Sequence, residues 1–252
     1  MRGQQVVRRV YRNPPIEEAI CQVRYAAPVE WTVATPGQLF ERFKERYPGK
    51  PRVQRPIQAN LASGTQEEGP SFSVAPGPAR IQLRSGDGRR LLTVGADVAG
   101  VVSLRPYEGW EHLKPRFEQD MRDLYGFFGI AEIAGVSARY INRIKIKQVP
   151  VNLSDYFHHF AVTAIDSLPF TGGVTGFFYR SELQGSDNTK LALTLASIES
   201  EDDTADFLLD IDVIKDESMN LPAAMELIDH LKEQENAVFE ALITDQARGL
   251  FE

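Results

Sequence analysis

The sequence predicts an α+β fold in which mostly antiparallel sheets are backed by two long helices. Residues 110–128 and 222–242 carry apolar side chains three or four positions apart, the spacing that places them on one face of a helix. Shorter stretches alternate apolar and polar residues, which is typical of strands with one buried face. The order strand, helix, strands, long helix occurs twice, so we interpret residues 1–130 and 131–252 as two α+β halves. The order of elements repeats but the residues do not, so the two halves are a candidate internal duplication. We expect them to pack together as one unit.

The first half begins with a strand and a helix. Pro14-Pro15 is a rigid, extended dipeptide, and Ala19–Tyr25 after it alternates as a strand does. Thr35 begins a capping-box pattern, which predicts that its side chain caps a helix whose first residue is Pro36. Pro48-Gly49 then ends that helix, because neither residue continues a helix well.

The rest of the first half is predicted to be β structure followed by a long helix. Residues 50–106 read as strands, and residues 64–78, which are rich in glycine and proline, as an exposed hairpin loop. Pro115 lies inside the helical pattern, where it would interrupt the hydrogen bonds of the helix. The helix is therefore either kinked at Pro115 or preceded by a separate turn that carries Trp110, and we favour the second arrangement, with the main helix beginning near Lys114.

The second half follows the same order. In its last strand Asp210 and Asp212 share the face opposite to Leu209, because alternate residues of a strand lie on the same side. The predicted elements are the strand Val136–Lys147, a short helix around Leu153–Phe160, the strands Phe177–Leu183 and Lys190–Ala196, the strand Phe207–Ile214, and a closing helix from Pro222.

Bulk composition limits the classes of function. Net charge is −7, with 35 acidic against 28 basic side chains, which argues against dedicated nucleic-acid binding. The single cysteine, Cys21, leaves no intramolecular disulfide. The sequence has no apolar signal segment and no apolar run of about 20 residues, which predicts a cytoplasmic protein without a membrane segment. Four arginines near the start are interpreted as a solvated tail: Arg2, Arg8, Arg9 and Arg12.

Two charged strands contain the candidate functional residues. In the first, Arg139 and Arg143 share one face and Tyr140 lies on the other. If this strand neighbours the one with the two aspartates, an arginine-rich face meets an aspartate-rich face. Two interpretations remain open, a salt-bridged sheet face and a polar cleft that binds an anionic ligand. The candidate ligand-binding or interaction residues are Arg139, Tyr140, Asn142, Arg143, Asp210 and Asp212.

Metal chemistry is a weaker alternative for the same strands. Asp210 and Asp212 could hold Mg²⁺ in a hydrolase or nuclease, with Arg143 nearby. In such sites a single residue usually separates an acid from a lysine on the same strand face. Two residues separate Asp212 from Lys215, so the spacing is one residue too long. The acidic stretch 199–206 lacks the glycine and regular alternation of a calcium loop, so we interpret it as a solvated connection. The sequence thus assigns no catalytic residue, no metal and no cofactor.

Five blocks distributed along the chain carry a family resemblance. They are Asn13-Pro14-Pro15-Ile16-Glu17-Glu18-Ala19, Tyr107 with Gly109-Trp110, Arg139-Tyr140-Ile141-Asn142-Arg143-Ile144, Leu209-Asp210-Ile211-Asp212, and Phe239-Glu240-Ala241-Leu242-Ile243-Thr244. With these blocks the chain resembles a sporadically distributed family of uncharacterised bacterial proteins of about this length. The resemblance implies an accessory role, such as genome defence or a toxin–antitoxin-like partnership, and carries over no catalytic residue.

The sequence as a whole favours a non-enzymatic binding or interaction module. Its charged groups show no catalytic spacing, whereas open sheets and amphipathic helices offer surfaces to partners. The expected partner is another protein, or a second copy of the chain bound through the C-terminal helix. Two alternatives stay open: a metal-dependent hydrolase or nuclease using Asp210 and Asp212, and an anionic-ligand sensor using Arg139 and Arg143.

Overall fold

The computed structural model describes residues 9–55, 57–62, 71–147, 150–160, 175–185, 187–200 and 203–252, with the backbone alone for 57–62 and 71–76. Its strands are β1 (Ile16–Tyr25), β2 (Gly49–Gln54), β3 (Ile57–Ala62), β4 (Ser71–Pro76), β5 (Arg80–Arg84), β6 (Arg90–Val94), β7 (Val98–Leu104), β8 (Ile133–Ile146), β9 (Phe178–Gln184), β10 (Thr189–Ile198) and β11 (Ala205–Lys215). Its helices are α1 (Thr35–Phe43), α2 (Trp110–Phe128), α3 (Leu221–Leu242) and α4 (Asp245–Arg248).

The predicted α+β class is confirmed. Within the described ranges, nine strands form one open antiparallel sheet in the order β2-β5-β6-β7-β1-β8-β11-β10-β9, and β3 pairs with β4 in a separate hairpin. From the central β1–β8 pair outward, β7, β6 and β5 follow on one side and β11, β10 and β9 on the other. The two halves therefore share a strand order, while their origin by duplication stays a prediction.

The core lies between one face of the sheet and the long helices. α2 packs on β7, and α3 packs on β8 and β11. Alternate residues of the central strands enter this core, for example Cys21 of β1 and Ala138 of β8, which oppose each other and are fully buried. The opposite face of the sheet carries no long helix in the described part of the chain. None of the described helices is long and apolar enough to cross a membrane.

The start of α1 differs from the prediction by one residue. Thr35 is the first residue of the helix, and the N-cap residue Ala34 makes no side-chain cap. The Thr35 hydroxyl instead accepts a hydrogen bond from the amide of Thr32 at 2.9 Å. The hydroxyl thus stabilises the turn that enters the helix.

The start of α2 also differs. The prediction of a separate turn before Lys114 is wrong, since α2 runs without a break from Trp110 and includes Pro115. Tertiary contacts compensate for the hydrogen bond that the proline removes. Leu113 is fully buried in the core, and the indole nitrogen of Trp110 donates to Asp229 of α3 at 2.9 Å. These contacts hold the first turn in helical form.

Smaller differences concern two other segments. The short helix predicted around Leu153–Phe160 is reduced to a 3₁₀ turn at Leu153–Asp155, after which Phe157 pairs with Ile243 as an isolated bridge. The predicted loop over 64–78 contains strand β4, and its residues 64–70 lie outside the described residues, as do Arg2 and Arg8 of the basic tail. In both places contacts with a neighbouring segment override the local pattern.

Candidate functional site

β8 and β11 lie side by side, so the two charged faces meet as predicted. The antiparallel register sets Asp212 opposite Arg139 and Asp210 opposite Ile141. Because alternate residues of a strand share a face, Arg139, Ile141 and Arg143 lie with both aspartates on the side away from α3. This arrangement brings the charged candidates together on the open face of the sheet.

Arg139 and Asp210 form a two-point ion pair across these strands. Arg139 Nε lies 2.8 Å from Asp210 Oδ1, and Arg139 Nη2 lies 2.6 Å from Asp210 Oδ2. Hydrogen bonding to Asp210 raises the pKa of Arg139 above its ordinary value. Both carboxylate oxygens of Asp210 are engaged, so the two residues largely neutralise each other's charge on this face of the sheet.

Arg143 pairs with Asp206. Arg143 Nε and Nη2 lie 2.7 and 2.6 Å from Asp206 Oδ2, and the Thr204 hydroxyl donates to Asp206 Oδ1 at 2.7 Å. Burial alone would raise the pKa of Asp206, but Thr204 and Arg143 outweigh it and lower that pKa. The interpretation of Asp206 as part of a solvated connection is wrong, because β11 already begins at Ala205 and carries the Asp206 side chain into a buried position.

Asp212 lies beside the Arg139–Asp210 pair in a groove on the open sheet face. The Oδ1 atom of Asp212 is buried and accepts no hydrogen bond from the described groups. Burial is the main cause that raises the pKa of this carboxyl to about 6. Arg180 and Lys190 line the same groove, whose volume is about 410 Å³. The groove therefore presents a poorly solvated carboxylate among cations.

The metal interpretation finds no ligand cluster on these strands. Among the described residues, no group of three or more His, Cys, Asp or Glu side chains is arranged to hold a metal ion. Arg139 already occupies the oxygens of Asp210, and the Lys215 ammonium donates to the backbone oxygen of Asp187. The hydrolase or nuclease hypothesis stays a prediction.

Tyr140 and Asn142 lie on the other face of β8, beneath α3. Asn142 Nδ2 donates to the backbone oxygen of Leu209 at 3.2 Å, so this buried amide joins β8 to β11. The Tyr140 hydroxyl lies 3.0 Å from the hydroxyl of Tyr107, and the two rings meet edge to face. The six candidate side chains therefore divide between the two faces of one sheet.

An ion pair of α3 lies over Tyr140. Lys232 Nζ lies 2.6 Å from Glu235 Oε2 and 2.6 Å from Asn236 Oδ1. The same ammonium stands 3.7 Å from the centre of the Tyr140 ring, which is cation–π distance. The Lys232 and Glu235 side chains are only 10% and 3% exposed. Burial raises the pKa of Glu235 and Lys232 opposes the rise, so two opposite charges share one buried position.

Residues 9–15 form a strap that closes one side of a groove above this ion pair. The Tyr11 hydroxyl donates to Glu240 Oε1 at 2.6 Å. The Tyr11 ring meets Phe239 and Phe251 edge to face. These contacts attach the strap to α3 and to the end of the chain.

The loop before α2 forms another wall of this groove. Gly109 has a φ of 91°, where a side chain would be strained, and its added Cβ would collide with the Glu111 carboxylate. The groove between these walls is open to solvent and has a volume of about 380 Å³. We call it the tyrosine groove, and its main lining side chains are Tyr11, Tyr107, Trp110, Tyr140, Lys232 and Glu235.

Segments that are far apart in the sequence meet in the tyrosine groove. One block of the family resemblance reaches it indirectly, through the hydrogen bond that Leu209 accepts from Asn142. The other four blocks contribute lining residues: Pro14, Pro15 and Ile16; Tyr107, Gly109 and Trp110; Tyr140 and Asn142; and Phe239 and Glu240.

Among the lining residues of this groove only Tyr140 and Asn142 were predicted site residues, so the buried polar cluster of α3, Lys232, Glu235 and Asn236, was missed. The pattern of α3 contains a signal for one of them. Glu235 follows Ile228 and Leu231 at helical spacing, which places a carboxylate where the periodicity predicts burial. A charged residue at such a position needs a partner, and Lys232 supplies it.

Comparisons with protein-family models and with curated proteins give no match for this chain. The resemblance to the bacterial family stays a prediction. The site is therefore interpreted from its own geometry.

Proposed function

We propose that this chain is a non-enzymatic binding module that holds a short segment of a partner protein in the tyrosine groove. The observation that carries the proposal is the convergence of the strap, the loop before α2, β8 and α3 on one groove with aromatic walls. A concave, largely apolar site with a few convergent polar groups is the usual form of a binding pocket.

The chemistry of the groove favours a neutral ligand with an apolar body and a hydrogen-bonding group. The charges of Lys232 and Glu235 compensate each other within 2.6 Å. Burial raises the pKa of Tyr107 and Tyr140 well above the ordinary value, so both hydroxyls keep their protons. Aromatic walls and protonated hydroxyls suit an uncharged side chain of a peptide, while the exposed Arg9, Arg12 and Glu111 in the lining remain accessible to polar parts of the same peptide.

The thiol of Cys21 is unsuited to nucleophilic catalysis, which fits binding as the activity. Cys21 is fully buried beneath the groove, and burial is the main cause that raises the pKa of the thiol to about 12. A thiol with so high a pKa is protonated and inert at neutral pH. In the hydrolase and anion-sensor alternatives a ligand competes with the ion pairs Arg139–Asp210 and Arg143–Asp206, so we rank them below the binding proposal.

The C-terminal helix takes part in this proposal as a wall of the groove. Its apolar face packs on the sheet, so a homo-oligomer through α3 would have to use the outer face with Glu226, His230 and Glu233. Asn236 and Phe239, by contrast, line the tyrosine groove. We therefore place the partner in the groove. An accessory role in bacterial defence or in a toxin–antitoxin-like system remains part of the proposal, supported by the family resemblance.

Selection from a random peptide library on the immobilised full chain tests the proposal. We expect enriched peptides with a common aromatic or apolar residue. Tyr107→Phe should weaken their binding by about tenfold, because it removes one hydrogen bond from the groove and keeps the ring. Fluorescence polarisation with labelled peptides measures the change.

Tyr125→Phe is the matched control, since Tyr125 lies on α2 and does not line the groove. We expect it to bind the selected peptides as the wild type does. Peptides that bind all three proteins equally, or a selection that enriches no peptide, would count against the groove as the binding site.

A further inference from the structure

β9 is an edge strand with an unusual number of exposed apolar side chains. In the described part of the chain β9 pairs with β10 on one side and with no strand on the other. Phe178, Tyr179 and Leu183 are 72%, 45% and 51% exposed. Natural proteins protect free edges because an exposed apolar strand pairs readily with another chain. This edge is therefore a candidate interaction surface.

The pairing of β9 with β10 shows which side chains share a face. Tyr179 and Leu183 oppose Leu195 and Leu191 and lie on the helix side of the sheet. Ser181 lies with them on that side, whereas Phe178, Arg180, Glu182 and Gln184 lie on the open side. The helix side of this edge is therefore mostly apolar, whereas the open side carries the two charges of Arg180 and Glu182 and the exposed ring of Phe178.

The β9 sequence is complementary to itself in one antiparallel register. When two β9 strands pair about Ser181, Arg180 of one copy lies opposite Glu182 of the other, and the same pair recurs through the two-fold axis. Tyr179 then lies opposite Leu183, also twice. Opposite charges and aromatic–aliphatic pairs directly across two strands both stabilise a sheet.

Neighbouring registers are disfavoured by the same residues. A shift of two positions in one direction places Arg180 opposite Arg180, and a shift in the other direction places Glu182 opposite Glu182. A shift of one position turns the apolar face of one copy toward the charged face of the other. The charges on β9 thus select one register, which a foreign strand would have no reason to match.

We propose that two copies of this chain associate through antiparallel pairing of β9 with β9, centred on Ser181. The result is a dimer with two-fold symmetry and one continuous sheet through both copies. Within each copy Arg180 Nη2 already lies 2.8 Å from Glu182 Oε1. In the dimer these two pairs become one cluster of four alternating charges, and the exposed rings and leucines are covered.

Charge exchange at the two positions tests the dimer and its register together. Light scattering after size-exclusion chromatography should find the wild-type full chain dimeric. Arg180→Glu or Glu182→Arg alone places like charges opposite each other and should weaken dimerisation by at least tenfold. The double variant Arg180→Glu/Glu182→Arg restores both pairs and should dimerise as the wild type does.

Mixing the two single variants gives the most specific test of the pairing register. One variant then presents only Glu and the other only Arg at both positions, so the mixture should form heterodimers while each variant alone stays monomeric. Arg122→Glu, which breaks the exposed Arg122–Glu118 pair on α2, is the matched control and should leave dimerisation unchanged.

Three outcomes would overturn the proposal. The first is a wild type that is monomeric at every concentration. The second is dimerisation that neither single variant weakens, and the third is a mixture of the two single variants that forms no heterodimer. Circular dichroism of each variant establishes that its fold is retained. No residue of β9 lines the tyrosine groove, so a failure here leaves the proposed groove function untouched.

Discussion

At the scale of single residues, Asp212 and Asp206 show how position on one strand sets opposite acid–base behaviour. Both carboxylates lie on β11 and face the open side of the sheet. Asp206 is paired with Arg143, and its pKa is lowered although burial opposes this. Asp212 keeps an oxygen without a hydrogen bond, and burial raises its pKa to about 6. The ionised carboxylate of Asp206 therefore stabilises the fold, whereas ionisation of Asp212 destabilises it.

Replacement of Asp212 by Asn should stabilise the protein at neutral pH. The unfolded carboxyl loses its proton near pH 4, the folded one near pH 6, so wild-type stability falls as pH rises through this window. Asp120, whose pKa burial also raises to about 6, contributes a fall in the same range. Because Asp212 is half-buried and partly screened, we expect Asp212→Asn to gain about 1–2 kcal/mol at pH 7.5 and nothing at pH 4. Urea unfolding at both pH values measures this.

Asp206→Asn is the control with the opposite sign. Its folded pKa is lowered, so the ionised carboxylate stabilises the fold above the unfolded pKa, and that stabilisation is lost as pH falls through the folded pKa. The variant should therefore lose stability at pH 7.5. A loss of similar size for Asp212→Asn would contradict the assignment of an unfavourable Asp212 carboxylate.

At the scale of elements, α3 combines an apolar face with a buried ion pair. Ile228 and Leu231 are fully buried against the sheet, and the next position of that face is Glu235 with its partner Lys232. The pair replaces an apolar contact where the helix passes over Tyr140. Such a pair is weak evidence for stability, since two buried charges cost hydration, yet removal of one partner leaves the other uncompensated.

Lys232→Met should destabilise the protein by about 3 kcal/mol, because Glu235 then stays buried without its counter-charge. The double variant Lys232→Met/Glu235→Leu should cost less than this single change, since no unpaired charge remains. Lys44→Met is the matched control, because Lys44 and Glu41 form an exposed pair with the same three-residue spacing and distance of 2.6 Å. Urea unfolding should find no measurable change for the control. Equal losses for single and double variants would contradict the role of the buried charge.

Elements with a clear periodicity were predictable from sequence, and those whose form depends on partners were not. Alternation predicted β1, β8 and β11 and the face of each side chain, since a strand exposes alternate residues to one environment. The extra turn of α2 before Pro115 escaped prediction because the contact between Trp110 and Asp229 holds it. The burial of Asp206 likewise depends on Arg143, which is remote in sequence.

At the scale of the whole molecule, the two halves are joined at several places. β1 of the first half pairs with β8 of the second along most of its length. The amide of Asn13 donates to the backbone oxygen of Phe251 at 2.9 Å, which connects the two ends of the chain. Tyr107 and Tyr140 share a hydrogen bond across the same boundary. The halves 1–130 and 131–252 therefore share one sheet, whatever their origin.

We expect the full chain to unfold in a single cooperative transition in scanning calorimetry. Residues 131–252 expressed alone should not fold, because β8 would lose its pairing with β1 and expose a long apolar strand edge. Co-expression with residues 1–130 should restore a folded complex, which circular dichroism and gel filtration would detect. Two separate calorimetric transitions, or a folded isolated half, would contradict this expectation.

By itself the sequence determined the α+β class, the positions of most strands and long helices, and the faces of β8 and β11, because each depends on periodicity within a few residues. Only the tertiary structure decided that Arg139 binds Asp210, that Arg143 binds Asp206, and that distant segments enclose the tyrosine groove. Such contacts depend on which strands become neighbours and on how helices pack across them. Those choices join residues far apart in the chain, and no local pattern encodes them.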